Sequence, residues 1–406
     1  MKTTIVSVGN ELLNGKTINT NASYIAKELR SIGMNVTRTI AINDEQEWIF
    51  KTLKETDDDL IIFTGGLGST SDDLTKESVA EFYQLELQLH QESLKRIRAH
   101  FEKTKRKMPS VNEKQAYFPK EALIIHNDYG TAPGAIIQLK EKTIVLLPGP
   151  PQEMIPMFKY VKAYLEERND ETMYQRGFLV AGTSESEMEE KLQPLYKKYP
   201  SVNIAPYAGL GEISYLMLSD DLTSLDKAME DFKKMFSVYI VGPSHQSLEE
   251  IAVERLMSQN QTISFAESIT GGMIASRLIN VPNASKVFNE SYILYSNESK
   301  IKQLGINQSI IERFGTVSAQ CAYELAYQLA QRTGASITLS ISGIAGPSGG
   351  TINKPVGTVY FGVNFEGKTK TYHKIFVGNR DMIRQKSTAF AYYLIIKTLS
   401  HEDIDS

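Results

Sequence analysis

The chain has 406 residues, 41% of them hydrophobic and 23% charged, with 44 lysines and arginines against 48 aspartates and glutamates and a formal net charge of -4. That length exceeds one typical core and calls for two or three domains. With no long basic tract or acidic tail, broad nucleic-acid binding is disfavoured, and no run approaches the ~18 apolar residues that would span a bilayer. The single cysteine, Cys321, can make no internal disulfide, which fits a reducing cytoplasm, and the first residues enter a strand without the apolar stretch of a signal peptide. The six histidines are scattered without zinc spacing, so a bound metal is expected on oxygen ligands.

Alternating strand and helix patterns open the chain. Residues 3–8 read as a buried strand, 21–32 as a helix, 35–41 as a strand, 45–56 as a helix and 60–63 as an apolar strand. A glycine turn follows, then a helix from about Lys76. This order implies a parallel sheet with right-handed crossovers. The basic residues Lys103, Lys105, Arg106 and Lys107, with Arg96, Arg98 and Glu102 nearby, read as a solvated helix end. A strand at 143–147 and a helix at 152–167 close this part. From about residue 170 the pattern becomes strand, helix, two strands and helix. That small α+β module carries no chemical motif and reads as a spacer or dimerisation unit. A helix at 247–258 begins the last part, giving expected domains at 1–168, 169–245 and 246–406.

Two stretches carry chemistry. Thr64-Gly-Gly-Leu-Gly68 follows a strand, as a turn through which backbone can approach phosphate, with Asp72 and Asp73 close behind. Those carboxylates either hold a divalent cation or cap the next helix. Glu11, Asn19 and Asn21 fall near the end of the first strand and the start of the next helix, where a substrate role is expected. The other stretch is Ala-Glu-Ser-Ile-Thr-Gly-Gly at 266–272, between a β-prone run and a helical pattern. Ser268 there is either a nucleophile beside unpaired N–H groups of a helix start or an ordinary helix cap. Tyr295-Ser-Asn-Glu-Ser-Lys300 and Ser342-Gly-Ile-Ala-Gly-Pro347 also follow strand-like runs, so the three turns are expected at one sheet edge.

With these segments, and with Gly130-Thr-Ala-Pro-Gly134 and Leu147-Pro-Gly-Pro-Pro-Gln-Glu-Met154, the chain resembles the CinA (competence/damage-inducible protein A) family over nearly its whole length. The resemblance implies an α/β protein: a molybdopterin-binding-like parallel-sheet domain, the small α+β module, and a C-terminal α/β amidohydrolase domain acting on nicotinamide mononucleotide. It points to Ser268 as nucleophile and Lys300 as base, with Tyr295 relaying a proton or orienting the ammonium. A lysine base needs a pKa below its reference of ~10.4, through burial or a neighbouring cation. His373, in a β-prone run, reads as structural. Thr270, Gly271, Gly272, Gly343, Ala345 and Gly346 are expected at the substrate, with Arg380 and Arg384 on its phosphate. Arg384 otherwise pairs on the helix surface.

For the N-terminal domain, the resemblance implies ADP-ribose pyrophosphatase activity with a divalent metal such as Mg on Asp72 and Asp73, at a site including Glu11, Asn21, Gly65, Gly66 and Gly68. No cofactor is expected for the deamidase. Two departures stand out: Ile269 occupies a position where the family commonly has cysteine, and Ser69 one where it usually has proline. The expected partners are nicotinamide mononucleotide, ADP-ribose and a second copy of the chain, with no membrane and no nucleic acid. A non-catalytic partner in competence or DNA repair, and molybdopterin handling, stay open beside the enzyme.

Overall fold

A computed structural model describes residues 1–103, 105–168 and 173–402. The chain separates into two compact units, Met1–Met173 and Tyr174–Ser406. The expected boundary between 168 and 169 meets residues outside the described ones, and the expected boundary near 245 falls inside the second unit.

In the first unit, β1 (Lys2–Val8), β2 (Asn35–Ile42), β3 (Leu60–Thr64), β4 (Leu87–Leu89), β5 (Tyr117–Pro119), β6 (Leu123–Ile125), β7 (Gly134–Gln138) and β8 (Thr143–Leu147) are joined mainly by helices. The main sheet runs β2-β1-β3-β8-β7-β6. Its first four strands are parallel, as the alternating pattern predicts; β7 and β6 are antiparallel and were not read from the sequence. Side chains alternate across each strand. Ile5, Ile62 and Val145 therefore pack on one face with Met154, Met157 and Phe158 of the helix Pro151–Glu166. Val6, Ile61, Phe63 and Leu146 fill the opposite face with Ile49, Leu53 and Val79. Each fully buried side chain of this kind contributes about 1.5–3 kcal/mol. The parallel strands end together at the glycine turn.

Lys76, in the helix Thr75–Phe82, is only 5% exposed. Its ammonium donates to the Lys114 carbonyl at 2.7 Å and sits 4.7 Å from the Phe118 ring centre. Burial lowers its pKa to about 8, against a smaller upward pull from Glu77. Because the folded-state pKa is depressed, the cost of burying the charge is full below about pH 8 and disappears as pH rises toward 10.5. Lys76→Met is expected to stabilise the first unit at pH 7 by on the order of 1–3 kcal/mol, less the lost hydrogen bond, and to lose that advantage by pH 10.5. Urea denaturation at both pH values checks it; a pH-independent difference overturns it.

The second unit contains two sheets. One joins β9 (Tyr174–Ala181), β10 (Asn203–Ala208), β11 (Glu212–Ser219) and β12 (Ile240–Pro243) in the antiparallel order β10-β11-β9-β12. The other joins β13 (Ile263–Glu267), β14 (Phe288–Ile293), β15 (Ile337–Gly343), β16 (Thr358–Phe365) and β17 (Lys368–Ile375) in the order β14-β13-β15-β16-β17. Val180 of β9 points into a core with Leu192, Tyr215, Phe232 and Phe236. Its neighbours Leu179 and Ala181 point the other way, into the core shared by the helix Arg380–Leu399 and β13, β15 and β16. The four-stranded sheet is thus apolar on both faces and covered on both. The helix Arg380–Leu399 is buried all round from Ala389 to Ile396, as a helix apolar on every face must be. β12 completes this sheet and was not read from the sequence.

Candidate active sites

β13 lies inside the five-stranded sheet, parallel to both neighbours, so the C-terminal ends of β13, β14 and β15 gather as the sequence predicts. Ser268 immediately follows β13, its N–H donating to the Ile341 carbonyl at 3.2 Å. The turn then runs through Gly271 and Gly272 at φ +60° and +94°, left-handed conformations that a side chain strains. The sequence suggested unpaired N–H groups at the start of the next helix, Met273–Ile279, favouring negative charge near Ser268; the structure pairs them within the protein. The Glu267 carboxylate, wholly buried, accepts from Gly272 N–H at 2.9 Å, Ile274 N–H at 3.2 Å and Ala275 N–H at 2.9 Å. The protein's own anion satisfies that helix start.

Lys300 comes from the helix Asn297–Leu304, whose Ser296 cap accepts from Ser299 N–H. It is 2% exposed. Its Nζ lies 3.4 Å from Ser268 Oγ, 2.7 Å from the Leu294 carbonyl and 3.5 Å from the carbonyls of Tyr295 and Ser296. Burial lowers the Lys300 pKa, with Cys321 and Glu298 pulling weakly upward. As a neutral amine, Lys300 can give its two N–H groups to carbonyls and turn its lone pair to Ser268.

Tyr295 meets Lys300 through its backbone carbonyl. Its phenol, 66% exposed, instead accepts from Arg380 Nη2 at 3.2 Å, while Arg380 Nη1 donates to the Gly346 carbonyl at 2.9 Å. A cleft of about 160 Å³ is lined by Ser268, Tyr295, Lys300, Gly343, Ala345 and Arg380, and also by Ile269. A Cβ on Gly343 would meet Val359 at 2.8 Å and Ile269 Cδ1 at 3.0 Å, so the bulk of Ile269 is accommodated by glycine.

Thr270, Gly271 and Gly272 form the turn itself without lining the cleft, and Arg384 lies against it. Arg384 Nε donates to the Ile269 carbonyl at 3.1 Å and Nη2 to the Thr270 carbonyl at 2.9 Å. Ser342, which opens one of the three expected turns, also lines the cleft, as do Thr316 and Val317, which were not singled out from the sequence. Thr316 and Val317 follow Gly315 with no motif around them, whereas Glu267 could have been found as an acid between a buried strand and a helix start. His373 stacks on Tyr360 with ring centres 4.5 Å apart.

In the first unit, a cavity of about 340 Å³ is lined by Glu11, Gly65, Gly66, Gly68, Asp72 and Asp73, together with Asp44, Gln115, Gly149 and Glu153. Gly65 has φ +106°, and a Cβ there would strike the Val8 carbonyl at 2.1 Å, so only glycine closes this turn. The capping reading of Asp72 and Asp73 is corrected: the next helix starts at Thr75 without a side-chain cap. Asp73 accepts instead from Thr70 N–H at 3.0 Å and Thr70 Oγ1 at 2.6 Å, and Asp72 from the same hydroxyl. That hydroxyl lowers the Asp72 pKa. Asn21 donates to the Gly149 carbonyl at 2.7 Å, which places it behind the cavity wall.

Asp44, missed from the sequence, has a raised pKa from burial and then from Glu11 and Asp72. Its Oδ1 is buried without a hydrogen-bond partner. An orphaned carboxylate oxygen among other carboxylates fits a bound cation. Among the described residues, no three Asp, Glu, His or Cys side chains are set to enclose a metal alone. Among the described residues, no helix is long and apolar enough to cross a membrane.

Residues 245–399 match the family model for the CinA C-terminal domain, and residues 4–167 the model for a probable molybdopterin binding domain. A CinA-like protein of Dictyoglomus thermophilum is 43% identical over 397 residues, covering 96% of this chain and 97% of its own. A putative competence-damage inducible protein of Clostridium botulinum is 40% identical over 409 residues, covering 98% and 100%. The solved structure of CinA from Thermoplasma acidophilum is 31% identical over 41% of this chain and 99% of its own, with a TM-score of 0.37.

Proposed function

Because the chain belongs to the CinA family, we propose that its C-terminal part hydrolyses nicotinamide mononucleotide to nicotinate mononucleotide and ammonia. The observation that carries this reading is Lys300, almost wholly buried, with Nζ 3.4 Å from Ser268 Oγ and a pKa lowered by burial. Neutral Lys300 takes the Ser268 proton as Oγ attacks the carboxamide carbon. The C–N bond then breaks, the nitrogen takes the proton from the Lys300 ammonium, and ammonia leaves an ester on Ser268. Water attacks that ester and gives a proton to Lys300, which returns it to Ser268 as the carboxylate product departs.

Incubating the purified chain with nicotinamide mononucleotide should give nicotinate mononucleotide and ammonia in equal amounts; neither product appearing overturns the proposal. Arg380, exposed on the cleft with N–H groups to spare beyond its two bonds, suits the 5′-phosphate. Arg380→Ala should raise KM for the mononucleotide by about 10-fold or more and leave the riboside little changed. Equal losses would place Arg380 elsewhere.

For the N-terminal domain the proposed reaction is hydrolysis of ADP-ribose. Asp72 and Asp73 would hold a divalent ion that, when bound, neutralises diphosphate charge, with Asp44 on the same wall. The glycine turn admits the diphosphate, and Glu11 and Glu153 remain on the wall for water or ribose. The acidic cluster with its orphaned Asp44 oxygen supports this reading.

A further inference from the structure

We propose that Glu267 and Arg384 clamp the Ser268 turn from its two sides, and that Arg384 is a positioning residue for the nucleophile. The inference rests on the serine hydrolase reading of the C-terminal cleft. The turn needs such a clamp because two of its five residues, Gly271 and Gly272, are left-handed glycines, which give it little stiffness of its own. Backbone groups in a buried turn must also find partners.

Two opposite charges meet both requirements. Glu267 uses its carboxylate on N–H groups: Oε2 on Gly272 and Ile274, Oε1 on Ala275. Arg384 uses its guanidinium on carbonyls, Nε to Ile269 at 3.1 Å and Nη2 to Thr270 at 2.9 Å. The two accepting residues directly follow Ser268, and the carboxylate directly precedes it. Hydrogen bonds to charged groups are the strong ones, and the rigid fork of arginine fixes two successive peptides at once.

The base of the fork is itself held. Arg384 stands one turn into the helix Arg380–Leu399, next to buried Ile383, and its carbonyl accepts from Thr388 Oγ1 at 2.9 Å. A supported side chain on a rigid element can keep a nucleophile within the fraction of an ångström that attack demands. Arg380, one turn earlier, lines the cleft, whereas the fork of Arg384 is engaged on the turn itself. The two arginines thus divide the labour: one faces the ligand, the other the turn that presents Ser268.

The test uses the full chain with Arg384→Met and Arg384→Lys, on nicotinamide mononucleotide, on its riboside and on p-nitrophenyl acetate. Arg384→Met should lower kcat by about 10- to 100-fold on the mononucleotide and the riboside and slow Ser268 acylation by a similar factor, with KM within about threefold. Arg384→Lys, keeping the charge and one donor, should recover part of the loss. A raised KM for the mononucleotide alone, with kcat and acylation intact, makes Arg384 a phosphate ligand and overturns the clamp; so does unchanged kcat.

If Arg384→Met fails to melt as the parent does, Arg384→Lys and Glu267→Gln decide, each expected to lower kcat without raising KM. A parent chain that acylates at Ser268 but leaves nicotinamide mononucleotide intact refutes the substrate while the clamp is still read from acylation. A parent that does neither overturns both.

Discussion

Replacing Ser268 by alanine, or Lys300 by methionine, is expected to lower ammonia release from nicotinamide mononucleotide by roughly 10³-fold or more, each alone costing nearly as much as both together. Nucleophile and base act as one unit, and removing either member disables it. The alanine removes only a partly exposed hydroxyl, so the fold should persist. Methionine at 300 fills the volume of a buried lysine without its charge, so circular dichroism should match the parent and the melting temperature should be no lower.

The pH profile follows from the direction of the Lys300 shift. Burial favours the neutral amine, the form that can accept the Ser268 proton. In the parent, kcat/KM should therefore fall as pH drops through a pKa below the ordinary lysine value, and plateau above it. Residual activity of Lys300→Met should lack that limb. Near-normal turnover by Lys300→Met between about pH 6 and 9 would remove lysine as the base. His373, stacked on Tyr360 outside the cleft lining, would be a poor replacement.

The second large effect concerns the other unit. Converting both Asp72 and Asp73 to asparagine should reduce metal-dependent ADP-ribose cleavage by about 100-fold, a loss of ~3 kcal/mol of charge stabilisation, and leave the deamidase unchanged. Asparagine at 73 can still accept the Thr70 N–H, so the turn keeps its local bond while losing the charge that holds a cation. Chelator should mimic the double substitution. If ADP-ribose cleavage survives both treatments, the acidic wall is not a metal site. If the deamidase also stops, the two sites are not independent.

Local sequence carried much of this. Hydrophobic period placed β1, β3, β8, β13 and β15, and the helices after the first four of them, because strand and helix spacing are properties of neighbouring residues. The glycines at 65, 66, 271 and 272 were legible for the same reason: a backbone that must turn left-handed requires them where it turns. Ser268 at a strand's end and Lys300 on the helix after the next turn were readable from order along the chain, and the parallel sheet brought them together.

What the sequence left undecided depends on contacts between distant segments. Asp44 joins the N-terminal cavity, and Thr316 the C-terminal cleft, from segments without a local mark. Glu267 was findable by its place between a buried strand and a helix start, but not its direction, since an acid beside a nucleophile can face solvent, substrate or backbone. Only the packed structure buries it and turns it onto three N–H groups. The α+β module reads from sequence as a spacer or dimerisation unit because it carries no chemical motif. Its second face is covered by the helix Arg380–Leu399, far along the chain, and that cover makes the module part of one core with the last part. Burial, and with it the lowered pKa of Lys300, is decided by what packs over a residue, and the chain does not reveal that until it has folded back on itself.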